Sequence, residues 1–251
     1  MALGGTLTGV TIHRFFLPEN SFQAGHVRCP ETTSRQILRV LRLRPGDHVG
    51  ALDGTGCESI VRLTEVGTEV RGIVERRGSN RAEPAARLAL YQALVKGPKL
   101  ETILQKCTEL GVSRFIPVAS ARSIPGDLNP GRVERFGRIV REAAEQSQRG
   151  RVPAIEPQMT FADALERAAA EGPTVFLWEG EEIVRVRDLA LSPGSAVSLF
   201  VGPEGGFAPD EAEAARAAGA RVATLGPRIL RAETAAIAGS ALVLARMGDL
   251  G

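Results

Sequence analysis

The sequence predicts an α/β protein in which a small β-barrel precedes a larger domain built on a mostly parallel sheet. Up to about residue 75, short alternating apolar stretches are separated by turn-forming residues, as in small all-β domains. From about residue 88, strand-like stretches alternate with helix-like ones, which is typical of a parallel sheet covered by helices on both faces. A chain of 251 residues is long enough for two such domains.

The predicted barrel domain spans residues 1–75. Pro45–Asp47 is a turn, and the stretches ESIVRLTEV and TEVRGIVERR after it read as strands. The exception is TSRQILRVLRL, whose apolar spacing suits a short helix.

Residues 76–87 are polar and contain glycine and proline, so the sequence predicts a linker there and a second domain over 88–251. Within that domain the predicted strands are LALYQALV, RFIPVAS, TVFLW, VSLFV and RVATLG.

Helices are predicted between these strands. Pro98 and Pro209 suit the first position of a helix, although Ala208 is a weak N-cap for the second of them. The stretch VERFGRIVREAAEQSQRGR predicts a helix that places Arg138, Glu142, Glu145 and Arg149 on one polar face. The C-terminal stretch from Ala232 is apolar and rich in small residues, so we expect it to pack closely inside the domain or against a second subunit.

The bulk composition excludes several classes of protein. No apolar run reaches the roughly 18–20 residues of a membrane helix, and the N-terminus lacks the pattern of a secretory signal. Three distant cysteines fit neither a disulfide framework nor a zinc site, so we expect a cytoplasmic protein without membrane or metal. The net charge of +2 does not by itself demand a nucleic-acid partner.

The stretch LFVGPEGGF places a glycine-rich loop directly after a predicted strand. Ligands of open parallel sheets sit at the carboxyl ends of strands, so we expect this loop to lie at a site. It matches neither a dinucleotide fingerprint nor a phosphate loop, and Glu204 favours a cationic or neutral ligand. On the loop alone, a plain turn before a helix remains an open alternative.

Four motifs in order resemble one family. The stretches LVKGPKLETILQKCTELGV, REAAEQSQRGRVP, LFVGPEGGF and LGPRILRAETA are similar to those of the RsmE family, and they span Leu88 to the C-terminus. The resemblance implies a ribosomal RNA methyltransferase that uses S-adenosylmethionine to methylate N3 of a uridine in small-subunit RNA. It also implies a SPOUT-type sheet with a C-terminal trefoil knot, a PUA-like barrel and a homodimer whose substrate pocket crosses the interface.

The resemblance further implies that three segments form the cofactor cleft. The implied cofactor-binding residues are Leu177, Trp178, Glu179, Val201, Gly202, Pro203, Glu204, Gly205, Gly206, Leu225, Gly226, Leu230, Arg231, Thr234 and Ala235.

Methylation of uridine N3 requires loss of its proton or stabilisation of the resulting anion. Through the resemblance, Arg149 is a candidate to stabilise the uracil anion or its phosphate, and Glu145 to orient that arginine or accept a proton. The histidines all fall in the first region, and we expect structural or RNA-facing roles for them.

The resemblance also implies that the partner is small-subunit ribosomal RNA or an assembled 30S subunit. We expect basic side chains to grip its phosphates, and the candidates are Arg28, Arg35, Arg39, Arg42, Lys96 and Lys99. Three alternatives stay open: a methyltransferase of this fold acting on another RNA position, an RNA-binding assembly factor without catalysis, and a small-molecule enzyme with a nucleotide cofactor.

Overall fold

The structure, a computed structural model, describes residues 12–123 and 128–250. It divides into two compact units. The first comprises the chain up to Ala82 together with Gln148–Arg151, and the second comprises Glu83–Ser147 and the chain from Val152.

The first unit contains a six-stranded sheet in the order β1-β4-β5-β6-β3-β2. Strand β1 is parallel to β4, and the other neighbours are antiparallel. The strands are β1 His13–Phe16, β2 Phe22–Gln23, β3 His26–Arg28, β4 His48–Leu52, β5 Cys57–Val66 and β6 Val70–Ser79.

The predicted helix of this unit is present as α1 (Glu31–Arg35), which continues as a wider π-helical turn over Gln36–Leu41. Its Ile37 is fully buried and packs into one apolar core with residues of the sheet such as Val49 and Leu63.

Strand β6 extends further than the sequence predicts. Residues 76–79 fall in the predicted linker, yet they pair with β5, where Arg76 lies opposite Ile60 and Ser79 opposite Cys57. Pairing satisfies the hydrogen-bonding groups of the backbone and leaves these polar side chains in solvent. The composition of the segment therefore resembles that of a linker although it forms a strand.

The Gln148–Arg151 segment joins the first unit through close backbone contact. The Asn80 amide donates to the carbonyl of Gln148 at 2.9 Å, and the Gly56 N–H donates to the carbonyl of Gly150 at 3.2 Å. A Cβ on Gly150 would lie 2.7 Å from the Cβ of Asn80 and 2.9 Å from the Cα of Gly56, so only glycine permits this approach.

The second unit is built on a seven-stranded sheet whose neighbours are all parallel, in the order β10-β8-β7-β12-β11-β13, with β9 paired to β8. The strands are β7 Arg87–Ala93, β8 Arg114–Ala119, β9 Ala154–Ile155, β10 Met159–Thr160, β11 Thr174–Leu177, β12 Ala196–Val201 and β13 Arg221–Ala223. The five predicted strands are present, and the two unpredicted ones, β9 and β10, have two residues each.

Helices cover both faces of this sheet, which confirms the predicted α/β class. The helices are α2 Lys99–Leu110, α3 Pro130–Gln146, α4 Phe161–Glu171, α5 Pro209–Ala217 and α6 Ala232–Arg246. Helices α2, α3 and α6 share one apolar core, and α4 and α5 share the core on the opposite face.

Two helix boundaries differ from the prediction. Helix α2 begins at Lys99 with Pro98 as its N-cap, one residue later than expected. Helix α3 ends at Gln146, and Gln148 has a positive φ of 64°, so Arg149 does not lie on the polar face of this helix with Glu145.

The cysteines differ in their surroundings. Cys29 and Cys107 are buried, and burial raises the pKa of their thiols to about 11 and about 12 respectively. Cys57 is half-buried. None of the helices within the described part of the chain is both long enough and apolar enough to cross a bilayer.

Candidate cofactor site

Three neighbouring strands end at the same edge of the second sheet. β12 and β13 both pair with β11 in parallel, so the loops after Leu177, Val201 and Ala223 meet. A cavity of about 560 Å³ lies among these loops. Its size falls within the roughly 300–1,000 Å³ typical of small-molecule sites.

The loop after β12 is compact because of its glycines. The Gly206 N–H donates to the carbonyl of Pro203 at 3.0 Å, which closes a turn. A Cβ on Gly202 would lie 3.2 Å from the carbonyl carbon of Gly206, and Gly206 itself has a φ of 66°. Main-chain groups, and few side chains, therefore form this wall of the cavity.

Trp178 forms a second, fixed wall. Its indole N–H donates to the carbonyl of Phe207 at 3.3 Å, and the Arg216 guanidinium lies 5.3 Å from the ring centroid. Arg216 also pairs with Glu181 at 2.9 Å. The main-chain N–H groups of Ile183 and Val184 are the main reason that the pKa of Glu181 lies below its usual value, and Arg216 adds to this effect.

The third wall is the segment after β13. The Thr224 hydroxyl donates to the carbonyl of Gly226 and accepts from the Gly226 N–H, each at 3.2 Å. Gly226 has a φ of 122°, so a local turn directs the following residues, including Leu230, along the cavity.

The cofactor residues predicted from the sequence converge on this cavity, with the exception of Arg231 and Thr234. Arg231 is the exposed N-cap of α6, and Thr234 is exposed in its first turn. Sequence reasoning missed Glu181, Glu182, Arg185, Ala223 and Thr224. Several of these lie close to predicted residues in the chain, and the remainder carry no motif. Pro227, Arg228, Ile229 and Ala232 also line the cavity, and they lie in the segment LGPRILRAET, which the resemblance assigned to the cleft without naming them singly.

Comparison with known proteins identifies the family. Residues 82–244 match the family model of an RNA methyltransferase domain. A ribosomal RNA small subunit methyltransferase E from Mycobacterium bovis is 34% identical over 207 residues, which is 78% of this chain and 78% of that protein. The chain belongs to the ribosomal RNA small subunit methyltransferase E family.

Solved structures of similar proteins share the fold. A ribosomal RNA small subunit methyltransferase E from Neisseria gonorrhoeae, bound to S-adenosyl methionine, has a TM-score of 0.84 and 33% identity, with 94% of this chain and 98% of that chain covered. A Legionella pneumophila protein in complex with the bound cofactor SAM has a TM-score of 0.81 and 27% identity, with the same coverage.

The two predicted catalytic residues do not line the cavity. Arg149 is 2% exposed and belongs to the segment held by Asn80, whereas Glu145 is half-buried in the last turn of α3.

Half of the predicted RNA-binding side chains have acidic partners, namely Arg28, Arg35 and Lys99, the last of which pairs with Glu204. Arg28 pairs with Glu69, and Arg35 pairs with Glu31 at 2.7 Å. The other members of the set, Arg39, Arg42 and Lys96, are exposed, while Lys99 is partly exposed.

Within residues 12–123 and 128–250, no group of three or more His, Cys, Asp or Glu side chains is arranged to hold a metal ion.

Proposed function

We propose that this protein is an S-adenosylmethionine-dependent methyltransferase that modifies small-subunit ribosomal RNA. The observation that carries the proposal is the cavity at the ends of β11, β12 and β13, in a chain whose relatives of this fold include two solved with that cofactor.

The residues present fit S-adenosylmethionine. The main chain of Gly202–Gly206 offers donors and acceptors at a close approach that side chains would block. Leu177, Leu225 and Leu230 provide apolar surface for the adenosine. When bound, the cofactor supplies an activated methyl group on a sulfonium, and the acidic residues Glu179 and Glu182 suit its positive charge.

We infer that the acceptor is N3 of a uridine, on the strength of the family resemblance. Arg149 would stabilise the uracil anion or its phosphate, and Glu145 would orient that arginine or accept the proton. Alignment of the two reactants would supply much of the remaining acceleration.

The family also supports finer statements about architecture. We infer a trefoil knot in the second unit and a PUA-like barrel in the first, where all six strands contribute residues to one apolar core. A homodimer is supported by α6, where Leu242 remains 37% exposed on a helix rich in small residues. Because its substrate is ribosomal, we place the enzyme in the cytoplasm.

Arginines and lysines would hold the RNA through its phosphates. This set comprises Arg28, Arg35, Arg39, Arg42, Lys96 and Lys99. The affinity should fall steeply as the salt concentration rises, since each phosphate contact releases counterions.

The test is methylation in vitro of 30S subunits and of naked small-subunit RNA that lack the modification, with labelled S-adenosylmethionine. Nucleoside mass spectrometry and mapping should find one N3-methyluridine. If a different methylated nucleoside were found, the acceptor would be another position of the RNA and not N3 of a uridine. Absence of methyl transfer, with RNA still bound, would favour an assembly factor.

Replacement of Arg149 tests the proposed chemistry. We expect Arg149→Ala to reduce kcat at least 100-fold, because the anion loses its charge partner, and to leave cofactor affinity within about threefold. Cofactor binding can be followed through Trp178, the only tryptophan, which lines the cavity.

Two further variants keep this test informative. Arg149→Lys retains the charge in case loss of the buried side chain unfolds the protein, and it should retain more activity than the alanine variant. Arg138→Ala removes an exposed arginine of α3 and should behave like the unmodified protein. Unchanged turnover of a folded Arg149→Ala variant would remove Arg149 from the mechanism.

A further inference from the structure

A carboxylate joins the glycine loop after β12 to the turn before α2. One oxygen of Glu204, Oε1, accepts a hydrogen bond from the main-chain N–H of Lys96 at 3.0 Å and another from the Nζ of Lys99 at 2.8 Å. Because β7 and β12 are neighbours in the sheet, this contact bridges the carboxyl ends of two adjacent strands.

The charge of Glu204 is already compensated by this contact. Burial alone would raise the pKa of its carboxyl group, but the hydrogen bonds from Lys99 and from the Lys96 N–H outweigh burial and hold the pKa below its usual value. Glu204 is therefore ionised at neutral pH. It is hydrogen-bonded to Lys96 and Lys99, although it borders the cofactor cavity. These hydrogen bonds favour a positioning role over that of a cofactor ligand.

Two other side chains hold the same loop in place, but neither is hydrogen-bonded to Lys96 or Lys99. Arg122, from the loop after β8, donates to the carbonyl of Gly205 at 2.7 Å. Gln92, at 2% exposure near the end of β7, has its amide nitrogen 3.4 Å from the carbonyl of Gly202. Of these three side chains, only Glu204 connects the cofactor loop, Gly202–Gly206, to residues that we expect to bind RNA.

We propose that Glu204 is a positioning residue that makes cofactor binding and RNA binding strengthen each other. This inference rests on the proposed function. An ordered cofactor loop holds Glu204 in place, and Glu204 in turn fixes Lys96 and Lys99 at the start of α2. The Lys99 ammonium has three N–H donors, so it can contact Glu204 and an RNA phosphate at once. Any such coupling is reciprocal: each ligand must raise the affinity of the other by the same factor.

The experiment measures four dissociation constants for each protein. S-adenosylhomocysteine, which prevents turnover, is titrated with and without a transcript of small-subunit ribosomal RNA, and the transcript is titrated with and without S-adenosylhomocysteine. For the unmodified protein we expect each ligand to strengthen the other at least fivefold, with equal factors. For Glu204→Gln, which retains the shape and can still accept from Lys96, we expect both factors to fall within twofold of one.

Glu101→Gln is the matched control. Glu101 also lies in the first turn of α2, but its ion pair with Arg135 at 2.7 Å connects that helix to α3, and it does not line the cavity. This variant should keep the coupling factor of the unmodified protein, which separates the effect of Glu204 from the general loss of an ion pair on α2.

The outcomes distinguish the two proposals. If the unmodified protein methylates RNA but its two ligands bind independently, or if Glu204→Gln keeps the full coupling, the positioning role is overturned and the proposed function stands. If the unmodified protein binds neither S-adenosylhomocysteine nor RNA and transfers no methyl group, both proposals are overturned.

Discussion

Gly206 is the position in the cofactor loop where both the backbone conformation and the space available favour glycine. Its φ of 66° lies in the left-handed region, and a Cβ there would clash with a carboxylate oxygen of Glu179. The adjacent Gly205 is different, since a Cβ on it would lie 3.5 Å from Arg122, an ordinary contact, and its φ is not positive. Two neighbouring glycines thus offer a matched comparison.

We expect Gly206→Ala to weaken cofactor binding by about tenfold or more. A left-handed conformation costs a residue with a Cβ about 1–2 kcal/mol, and Glu179 must also move away. The measurement is a titration with S-adenosylhomocysteine followed by Trp178 fluorescence. Gly205→Ala is the control and should stay within about threefold. Equal affinities for the two variants would contradict this account of the loop.

Helix α5 begins with only half of a capping box. Glu211, at its third position and 7% exposed, accepts from the Ala208 N–H at 2.8 Å and from the Ala121 N–H at 2.9 Å. Ala208 occupies the N-cap with extended backbone angles but has no side-chain oxygen to return the interaction. Glu211 therefore supplies the side-chain hydrogen bond at the start of the helix that follows the loop at Gly202–Gly206.

We expect Ala208→Ser to stabilise the protein by about 1 kcal/mol, because the hydroxyl can accept a hydrogen bond from an amide of the first turn. The thermal midpoint should rise by about 2–4 °C in a scanning measurement.

Ala214→Ser is the control for this prediction. It makes the same substitution at an exposed position inside α5, where serine forms helix less well than alanine, so a small loss is expected. If Ala208→Ser and Ala214→Ser destabilised the protein equally, the expected capping effect at position 208 would be contradicted.

Across the whole molecule, several carboxylates have ion-pair or hydrogen-bond partners. Glu171 pairs with Arg114 and with Arg167, the latter at 2.9 Å. Burial would raise the pKa of Glu171, but its hydrogen bonds with the two arginines and their charges lower it below the usual 4.5. The pKa values of Glu204, Glu181 and Asp53 are lowered as well.

These shifts predict loss of stability in acid. Carboxyl groups whose pKa is lower in the folded state stabilise the protein above their unfolded pKa, and this contribution disappears as the pH falls through the folded pKa. We expect the free energy of unfolding, measured in urea, to fall below about pH 4.5, with each exposed pair contributing about 0.5 kcal/mol.

Glu171→Gln tests the assignment of this loss. The variant should be less stable at pH 6 and should lose less stability than the unmodified protein between pH 6 and pH 3. An identical acid dependence would show that Glu171 does not contribute.

Local patterns in the sequence were sufficient to predict the second sheet and to assign the glycine loop to one edge of it. Apolar stretches of five to eight residues followed by helical periodicity predict strands, and parallel strands must end at one edge. The loop at Gly202–Gly206 could therefore be assigned to that edge from the sequence alone. The same reasoning failed at residues 76–79, because a strand exposed to solvent carries the polar residues of a linker.

The sequence by itself determined the fold class, because the class depends on periodicity, and most residues of the cavity, because these lie in contiguous motifs that resemble those of one family. Only the tertiary structure decided that Glu204 engages Lys99, 105 residues away, that Arg122 holds Gly205, and that Arg149 leaves its helix and becomes buried. The physical reason is that such contacts depend on which strand ends become neighbours after folding. Local hydrophobic patterns do not reveal which residues distant in the sequence will meet.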